Sequence, residues 1–430
     1  MRYTSTIGKS EHVSFQTALF NGLAPDGGLY LPEEIPRVNQ DIYQTDLTYP
    51  ELAFDILKHF VKDEIPDSSL GDILKKAFSF EIKLVETQKG TFVLELFHGP
   101  TLAFKDFGAR FMSRTMEYFL KKKSKEITIL VATSGDTGGA VANGFYGIEG
   151  IRVFILYPKG RVSPTQEKQL TTLGSNISAL EVDGNFDDCQ RLVKSAFLNK
   201  NLRKKIQLSS ANSINIARLL PQSAYYHWAM KEIGIKSSVI FSVPSGNFGN
   251  LTGGLIAKKM GLPVEKFIAS TNVNDVVPDY LKTGIINPKP SVHTISNAMD
   301  VGNPSNLDRI ISLYGYDIEK IRSDITGSSF TDNETIETIQ TVFSESNYIM
   351  EPHTAVGYSG LLAYQKLIHR QEVGIVLSTA HPAKFPESIE GAIRQKVPIP
   401  KEIRDCFHKE MKKISISKQE ENLSEILLSV

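Results

Sequence analysis

A lysine among apolar and small residues is the first candidate for chemistry in this sequence. Lys105 lies between Phe104 and Phe107 in the segment LFHGPTLAFKDFG, residues 96–108. An ammonium group loses hydration in apolar surroundings, which lowers its pKa and makes the amine available as a nucleophile or proton carrier. The alternative is a lysine at a helix start that extends to solvent and pairs with Asp106. Composition alone favours this alternative.

Two glycine-rich loops each follow a short apolar segment. Residues 132–140 read ATSGDTGGA, and residues 244–250 read PSGNFGN. Glycine lets a ligand approach the backbone, and a helix that begins at such a loop presents unpaired N–H groups to an anion. Neither loop has the Walker A ending or the G-x-G-x-x-G spacing. One loop alone is also consistent with a tight turn, but the two together predict an anion site.

The elements that must position these residues alternate regularly from about residue 92 onward. Helical periodicity separates short apolar segments at residues 92–97, 127–132, 153–157, 179–182, 239–243, 267–269 and 375–377. Continuous apolar segments are typical of strands covered on both faces. The pattern predicts a doubly wound α/β protein with parallel strands, in which ligands bind beyond the carboxyl ends of the strands. Both glycine-rich loops follow such strands.

The bulk composition favours small-molecule chemistry. Lys and Arg total 48, as do Asp and Glu, so no basic excess indicates nucleic acid or an anionic membrane as a partner. Cys189 and Cys406 have no partner spacing, which argues against a disulfide framework and a metal site. Residues 1–15 have no apolar signal core, and the apolar segments are too short to span a membrane. We expect a cytoplasmic protein without a metal.

Three segments together resemble the threonine synthase family. Residues 100–106 (PTLAFKD) are similar to the family's pyridoxal-phosphate lysine motif, and residues 246–250 (GNFGN) to its cofactor phosphate loop. Residues 133–138 (TSGDTG) are similar to its loop beside the cofactor ring and the substrate carboxylate. The segments GLAPDGGLY and STAHPAKF extend the resemblance, which runs in order from about residue 3 to 400. It is nearest to the bacterial and fungal subgroup, which lacks the plant regulatory extension.

The resemblance implies a fold type II pyridoxal-phosphate enzyme, similar to tryptophan synthase β, with twisted and mostly parallel sheets in two domains. The expected parts are an N-terminal helical cap (1–90), a large cofactor domain (91–110 and 228–400) with an irregular insertion (283–335), a small mobile domain (111–227) and a C-terminal tail or helix (401–430). The implied reaction converts O-phospho-L-homoserine and water into L-threonine and phosphate, by γ-elimination and β-addition of water. This is the last step of threonine biosynthesis. A monomer or homodimer is expected.

The resemblance also implies roles for individual residues. Lys105 binds pyridoxal 5'-phosphate covalently and acts as the base. The Thr379 hydroxyl meets the pyridine nitrogen, and a hydroxyl, unlike a carboxylate, does not require a protonated ring. The cofactor phosphate is expected at the backbone N–H groups of Gly246, Asn247, Phe248, Gly249 and Asn250. Contacts to the substrate are expected from Thr133, Ser134, Gly135, Asp136 and Thr137.

A substrate that carries a phosphate requires a second anion site. Lys159 and Arg161 follow an apolar segment and precede a helix start, and Arg218 is a further candidate for a bidentate contact. Surface ion pairs are an equally good interpretation of Lys159 and Arg161. The helix start also has a structural interpretation, a capping box between Ser163 and Gln166.

Several alternatives stay open at this level. A related phospho-lyase would release 2-ketobutyrate instead of threonine. Dehydratases and cysteine synthases of the same fold type usually vary the residues at 134–136. A non-catalytic phosphate- or nucleotide-binding α/β protein would use Lys105 only for packing. The histidines are better explained as hydrogen-bonded structural residues than as acids or bases; they are His98, His353 and His381.

Overall fold

Strands and helices alternate along most of the chain. The computed structural model describes residues 1–121, 126–234, 239–370 and 372–429. The strands are β1 Tyr3–Ser5, β2 Tyr30–Pro32, β3 Lys83–Gln88, β4 Thr91–Glu95, β5 Ile127–Ala132, β6 Ile151–Pro158, β7 Ile177–Val182, β8 Leu208–Ser210, β9 Val239–Pro244, β10 Val264–Thr271, β11 Ile325–Ser329, β12 Gly374–Ser378 and β13 Lys413–Ile416.

The helices fill the intervals between these strands. They are α1 Phe15–Asn21, α2 Tyr49–Val61, α3 Asp67–Ala77, α4 Lys105–Leu120, α5 Asp136–Phe145, α6 Pro164–Thr171, α7 Phe186–Leu198, α8 Lys200–Lys205, α9 Ile216–Leu219, α10 Gln222–Ile233, α11 Gly249–Lys259, α12 Val276–Thr283, α13 Leu307–Leu313, α14 Ile318–Asp324, α15 Asp332–Ser346, α16 Pro352–Ile368, α17 Pro386–Ile393, α18 Lys401–Phe407 and α19 Glu420–Ser429. Short 3-10 helices span Gln40–Gln44, Asn297–Met299 and Pro382–Lys384. In the described ranges, no helix combines the length and apolar character that a membrane crossing requires.

The larger sheet has six strands in the order β11-β10-β9-β12-β4-β3. All neighbouring strands are parallel except β3, which pairs antiparallel with β4. Every residue of β9 and β12 is buried, because helices cover both faces of the sheet centre. The parallel arrangement brings the carboxyl ends of β4, β9 and β12 to one edge.

The smaller sheet has five parallel strands in the order β13-β7-β6-β5-β8. Its central strands β5 and β6 are almost entirely buried, as their continuous apolar sequences indicate. Together with the larger sheet, it confirms the predicted α/β class with parallel strands. The glycine-rich segment after β5 leads directly into α5 at the carboxyl edge of this sheet.

Besides the buried three-residue β8, three edge strands of the five- and six-stranded sheets lie where the sequence predicted none. β3 falls in the expected N-terminal cap, β11 in the expected insertion, and β13 in the expected C-terminal tail. Residues 283–335 are therefore irregular only in their first half, since α13, α14 and β11 follow. The C-terminal residues complete the smaller sheet through β13, which pairs with β7. Edge strands are half-exposed, so their sequences are more polar than the apolar segments used for the prediction.

Helices α2 and α3 pack against α4 and α10 as a cap. The apolar faces of both helices are buried in one core with Phe107 and Phe111 of α4 and Tyr226 of α10. A capping box between Thr48 and Glu51 begins α2. Both helices lie within residues 1–90, where an N-terminal helical cap is expected.

Candidate active site

A cavity of about 620 Å³ lies at the carboxyl ends of strands from both sheets. The segments after β4, β5, β9 and β12 all contribute to its wall, as expected for a parallel α/β arrangement. Predicted site residues that line it are Lys105, Thr133, Ser134, Asp136, Thr137, Arg218, Gly246, Asn247, Phe248, Gly249, Asn250 and Thr379. Two distant glycine-rich loops and the lysine segment therefore share one site.

Lys105 is the first residue of α4 and faces this cavity. Its side chain is 17% exposed, and its Nζ lies 3.9 Å from Asp136 Oδ2 and 5.4 Å from the centre of the Phe104 ring. Burial lowers the pKa of Lys105, while the charge of Asp136 acts in the opposite direction. The Phe104 N–H donates to the Thr379 carbonyl at 2.9 Å, which ties the lysine segment to the end of β12.

The ordinary interpretation of Lys105 as a solvent-directed lysine paired with Asp106 is wrong. Asp106 is buried, and its carboxylate accepts hydrogen bonds from the Thr101 N–H at 2.8 Å and the Thr101 hydroxyl at 2.7 Å. Asp106 thus stabilises the turn before α4 instead of pairing with the lysine. The pair is absent because consecutive residues on a helix point in different directions.

The segment from Gly246 to Asn250 forms the start of α11. Phe248 adopts a left-handed conformation, with φ of 60°, immediately before the helix. Within the described residues, none of the backbone N–H groups from residue 246 to 251 donates to a protein acceptor. Asn250 accepts from the Tyr225 and Tyr226 hydroxyls at 2.6 and 2.8 Å through Oδ1, and its buried Nδ2 has no partner in the same ranges. These donors and the helix N-terminus suit an anion.

A buried arginine, Arg309, supports this loop through hydrogen bonds. Arg309 is fully buried and has no carboxylate partner among the residues that the structure describes, and burial lowers its pKa to about 9. It donates to the Asn306 side chain at 2.7 Å, and Asn306 Nδ2 in turn donates to the Asn247 carbonyl at 3.0 Å. Further bonds reach the carbonyls of Ser213 and Ile214, which also line the cavity. No local motif marks Arg309, which lies within the stretch predicted to be irregular.

The loop after β5 uses some predicted residues for its own structure. The Thr133 hydroxyl accepts from the N–H groups of Gly135 and Gly138, both at 2.9 Å. Gly135 has φ of 141° and does not line the cavity, and a Cβ there would lie 2.4 Å from the Gln166 side chain. Ser134, Asp136 and Thr137 remain on the cavity wall. Thr133 and Gly135 therefore shape the loop, and of the two only Thr133 also lines the cavity. Their contact with substrate stays a prediction.

Asp136 has a second lysine partner, Lys384, that was not predicted from the sequence. Lys384 Nζ lies 2.7 Å from Asp136 Oδ1, and Gln166 Nε2 donates to the same oxygen at 3.0 Å. The predicted capping box between Ser163 and Gln166 is also present. Lys384 belongs to the STAHPAKF segment. The sequence feature that could have identified it is a lysine flanked by apolar residues shortly after a buried strand.

The candidates for the substrate's anion separate into two groups. Arg218 lines the cavity, is 4% exposed and has an unpartnered Nε within the described part of the chain. Burial lowers its pKa to about 10. Lys159 and Arg161 are exposed and do not line the cavity, because the turn after β6 carries both outward. The structure therefore does not bring them to the site.

The histidines have structural hydrogen bonds. His353 lines the cavity, but its Nδ1 contacts Glu351 and its Nε2 accepts from the Ala298 N–H at 3.1 Å. His98 Nε2 contacts Glu95 at 2.8 Å, outside the cavity. His381 accepts from the Ala383 N–H, and burial lowers its pKa to about 4. These contacts support the structural interpretation.

The residues around the cavity fit pyridoxal phosphate. Unpaired N–H groups at the start of α11 and the orphaned Asn250 amide match a phosphate, and a buried amine matches an aldehyde. Thr379, 7% exposed, contributes to the same wall. A single cavity thus contains both functional groups that the cofactor requires, at Lys105 and at residues 246–250.

Comparisons with known proteins identify the family that the chain resembles. The family described as pyridoxal-phosphate dependent enzyme matches residues 83–379, the threonine synthase N terminus matches residues 2–78, and the threonine synthase C-terminal family matches residues 354–426. A threonine synthase from Haemophilus influenzae is 47% identical over 395 residues, 91% of each chain. The crystal structure of Escherichia coli threonine synthase is 40% identical with a TM-score of 0.93 and covers 100% of both chains. A pyridoxal-phosphate-bound threonine synthase from Brucella melitensis is 36% identical with a TM-score of 0.93, covering 99% of this chain and 98% of that one.

Proposed function

The chain belongs to the threonine synthase family of pyridoxal-phosphate-dependent enzymes, and on this premise we propose that it converts O-phospho-L-homoserine and water into L-threonine and phosphate in the described cavity. Its cofactor is pyridoxal phosphate. The observation that carries the proposal is the position of Lys105, a buried amine that shares one cavity with the unpaired donors at residues 246–250.

The cofactor site is assigned to three segments. Lys105 would be the covalent attachment point, residues 246–250 would hold the phosphate through backbone N–H groups, and the Thr379 hydroxyl would meet the ring nitrogen. When bound, pyridoxal phosphate withdraws electrons from the carbon next to the substrate amine and so makes its proton acidic. A hydroxyl at position 379, unlike a carboxylate, would not require a protonated ring, so the protein would have to direct the proton transfers.

Lys105 carries the proton transfers in this proposal. The reaction removes protons from the α and β carbons of the substrate and releases phosphate from the γ carbon. It then adds a proton at the γ carbon and water at the β carbon, and returns a proton to the α carbon. An amine that burial has stripped of part of its hydration exchanges protons near neutral pH more readily than an exposed lysine. Lys105 is the amine at the buried wall of the cavity and is therefore our candidate for base and acid.

Substrate anions are assigned to Arg218 and to the loop after β5. Arg218 offers a buried guanidinium with an unpartnered Nε, while Ser134 and Thr137 border the start of α5. We propose that the substrate carboxylate and phosphate bind among these groups. Residues 111–227 contribute β5 to β8 of the smaller sheet and, together with β13, form the smaller, mobile half in this proposal.

Arg218→Gln should raise the KM for O-phosphohomoserine by roughly 10- to 100-fold, since one charge-assisted contact contributes about 1.5–3 kcal/mol. The amount of bound cofactor, read from visible absorbance, should change little. Lys159→Gln and Arg161→Gln, which alter exposed residues outside the cavity, serve as controls and should leave KM near its original value. If either control raised KM more than Arg218→Gln does, the substrate's anion site would instead lie at the turn after β6.

Product identification tests the proposed reaction. Purified protein incubated with O-phosphohomoserine should release phosphate and threonine in equal amounts, measured by a phosphate assay and amino-acid chromatography. Phosphate with 2-ketobutyrate instead of threonine would establish the phospho-lyase alternative. A colourless protein without phosphate release would establish the non-catalytic alternative. The cytoplasmic location, the monomeric or dimeric state and the lack of nucleic-acid and membrane partners stay predictions.

A further inference from the structure

One carboxylate lies between two lysines at the wall of the cavity. Asp136 Oδ1 is 2.7 Å from Lys384 Nζ, and Asp136 Oδ2 is 3.9 Å from Lys105 Nζ. The Asp136 side chain is 3% exposed and the Lys384 side chain is fully buried. Two ammonium groups therefore compete for one buried negative charge. Burying an ammonium costs several kcal/mol unless a counter-charge and hydrogen bonds compensate.

The two lysines differ in how well they are compensated. Lys384 follows β12 in a 3-10 helix, and its ammonium also donates to the Thr101 carbonyl at 2.9 Å. The ammonium of Lys105 donates no hydrogen bond within the described ranges of the chain, and its nearest carboxylate oxygen lies beyond hydrogen-bond distance. The ion pair at Lys384 is therefore the stronger one. If Asp136, Lys384 and Lys105 together lose one proton, it therefore leaves the ammonium of Lys105.

We propose that Lys384 is a positioning residue of the site: it neutralises Asp136 and thereby leaves Lys105 as the lysine that carries a free amine. The role assigned to Lys384 rests on the proposed function only in that Lys105 is the cofactor lysine. The pairing also links the two sheets, because Lys384 follows β12 of the larger sheet and Asp136 begins the helix after β5 of the smaller one.

The other charged residues around Lys105 also influence its pKa. Burial is the largest influence on the pKa of Lys105 and lowers it; Asp136 and Glu351 raise it, while Lys384 and Arg218 lower it. Burial alone would raise the pKa of Asp136, but Lys384 and Lys105 together hold it well below its usual range. Asp136 thus stays ionised, and Lys384 is its closest counter-charge.

The proposal predicts opposite effects for two substitutions. Lys384→Met leaves Asp136 with Lys105 as its closest cation, so Lys105 should keep its proton to higher pH. Asp136→Asn removes the carboxylate that favours the ammonium of Lys105, so this lysine should lose its proton at lower pH. A shift of about one pH unit in each direction is expected from the gain or loss of one close charge. Lys159→Met, at an exposed position, is the control and should cause no shift.

The measurement follows the amine of Lys105 directly. The full chain, freed of cofactor, is labelled briefly with an acylating reagent at a series of pH values, and the peptide that contains Lys105 is quantified by mass spectrometry. The midpoint of labelling against pH reports protonation without any need for turnover. The rate at which added pyridoxal phosphate develops its visible absorbance should show the same shifts.

Each outcome decides the question. An unchanged midpoint in folded Lys384→Met protein overturns the proposal, as do shifts in the same direction for both variants, which indicate a general loosening of the site. If Lys384→Met does not fold, the same comparison is made with Lys384→Gln. Independently of that variant, a labelling midpoint of Lys105 in Asp136→Asn at or above that of the original chain is sufficient to reject the proposal. A cofactor adduct on another lysine would refute the proposed function separately.

Discussion

Lys105→Ala is expected to lower the rate of threonine formation by at least about 10³-fold, because one residue supplies both the covalent attachment and the proton transfers. Some cofactor should still bind, since the donors at residues 246–250 remain in place. That cofactor should be removable by dialysis, and borohydride treatment should no longer fix it to the chain.

The experiment compares borohydride-reduced protein by mass spectrometry with the rate of phosphate release. Unaltered protein should carry the adduct on the peptide that includes residue 105. Lys194→Ala is the matched control, since Lys194 also lines the cavity but lies exposed on α7. It should retain the adduct on Lys105. A Lys105→Ala protein with near-normal turnover would show that another group is the base.

Gly246→Ala is expected to weaken cofactor binding on the order of 10- to 100-fold. A Cβ at this position would lie 2.8 Å from both the Ala298 carbonyl oxygen and Met299 Cα. Both are backbone atoms, so the loop must shift to relieve the contact, and small displacements of positioning groups carry penalties of this size. Dissociation constants from cofactor titration, followed by visible absorbance, provide the measurement.

The control for this substitution is Gly71→Ala. Gly71 lies within α3, remote from the cavity, and a Cβ there meets no atom within 4 Å. Cofactor affinity should be unchanged, and the free energy of unfolding should rise by about 0.5–1 kcal/mol because alanine loses less backbone entropy in a helix. Equal cofactor affinity in Gly246→Ala and the original chain would mean that the loop accommodates the methyl group.

The parts of the fold with local signals could be predicted from sequence. Strands such as β5 and β9 are continuous apolar segments because both faces are covered, and each ends in a glycine-rich loop that identifies the cavity. β3 reads KLVETQ and β13 reads KISI, and their exposed edges allow polar residues that hide the strand pattern. Prediction therefore succeeded at the sheet centres and failed at the edges.

The candidate site divides in the same way. Lys105 and the segment 246–250 were predictable because each carries its chemistry in consecutive residues. Lys384 meets Asp136 only after the chain has folded, across 248 positions of sequence, the difference between 384 and 136. Arg309 supports Asn247 through Asn306 and has no motif of its own. Contacts of this kind depend on tertiary structure and leave no spacing to recognise.

Strand β13 has a consequence for how the protein is made. It pairs with β7, and Ile416, Leu423 and Leu427 belong to the core that also contains Leu180 and Val182. During synthesis on the ribosome, residues 177–182 emerge more than two hundred positions before these partners. Until β13 has been synthesised, the apolar edge of the smaller sheet at β7 therefore stays exposed. This exposed edge makes the nascent chain a target for chaperones until translation has nearly ended.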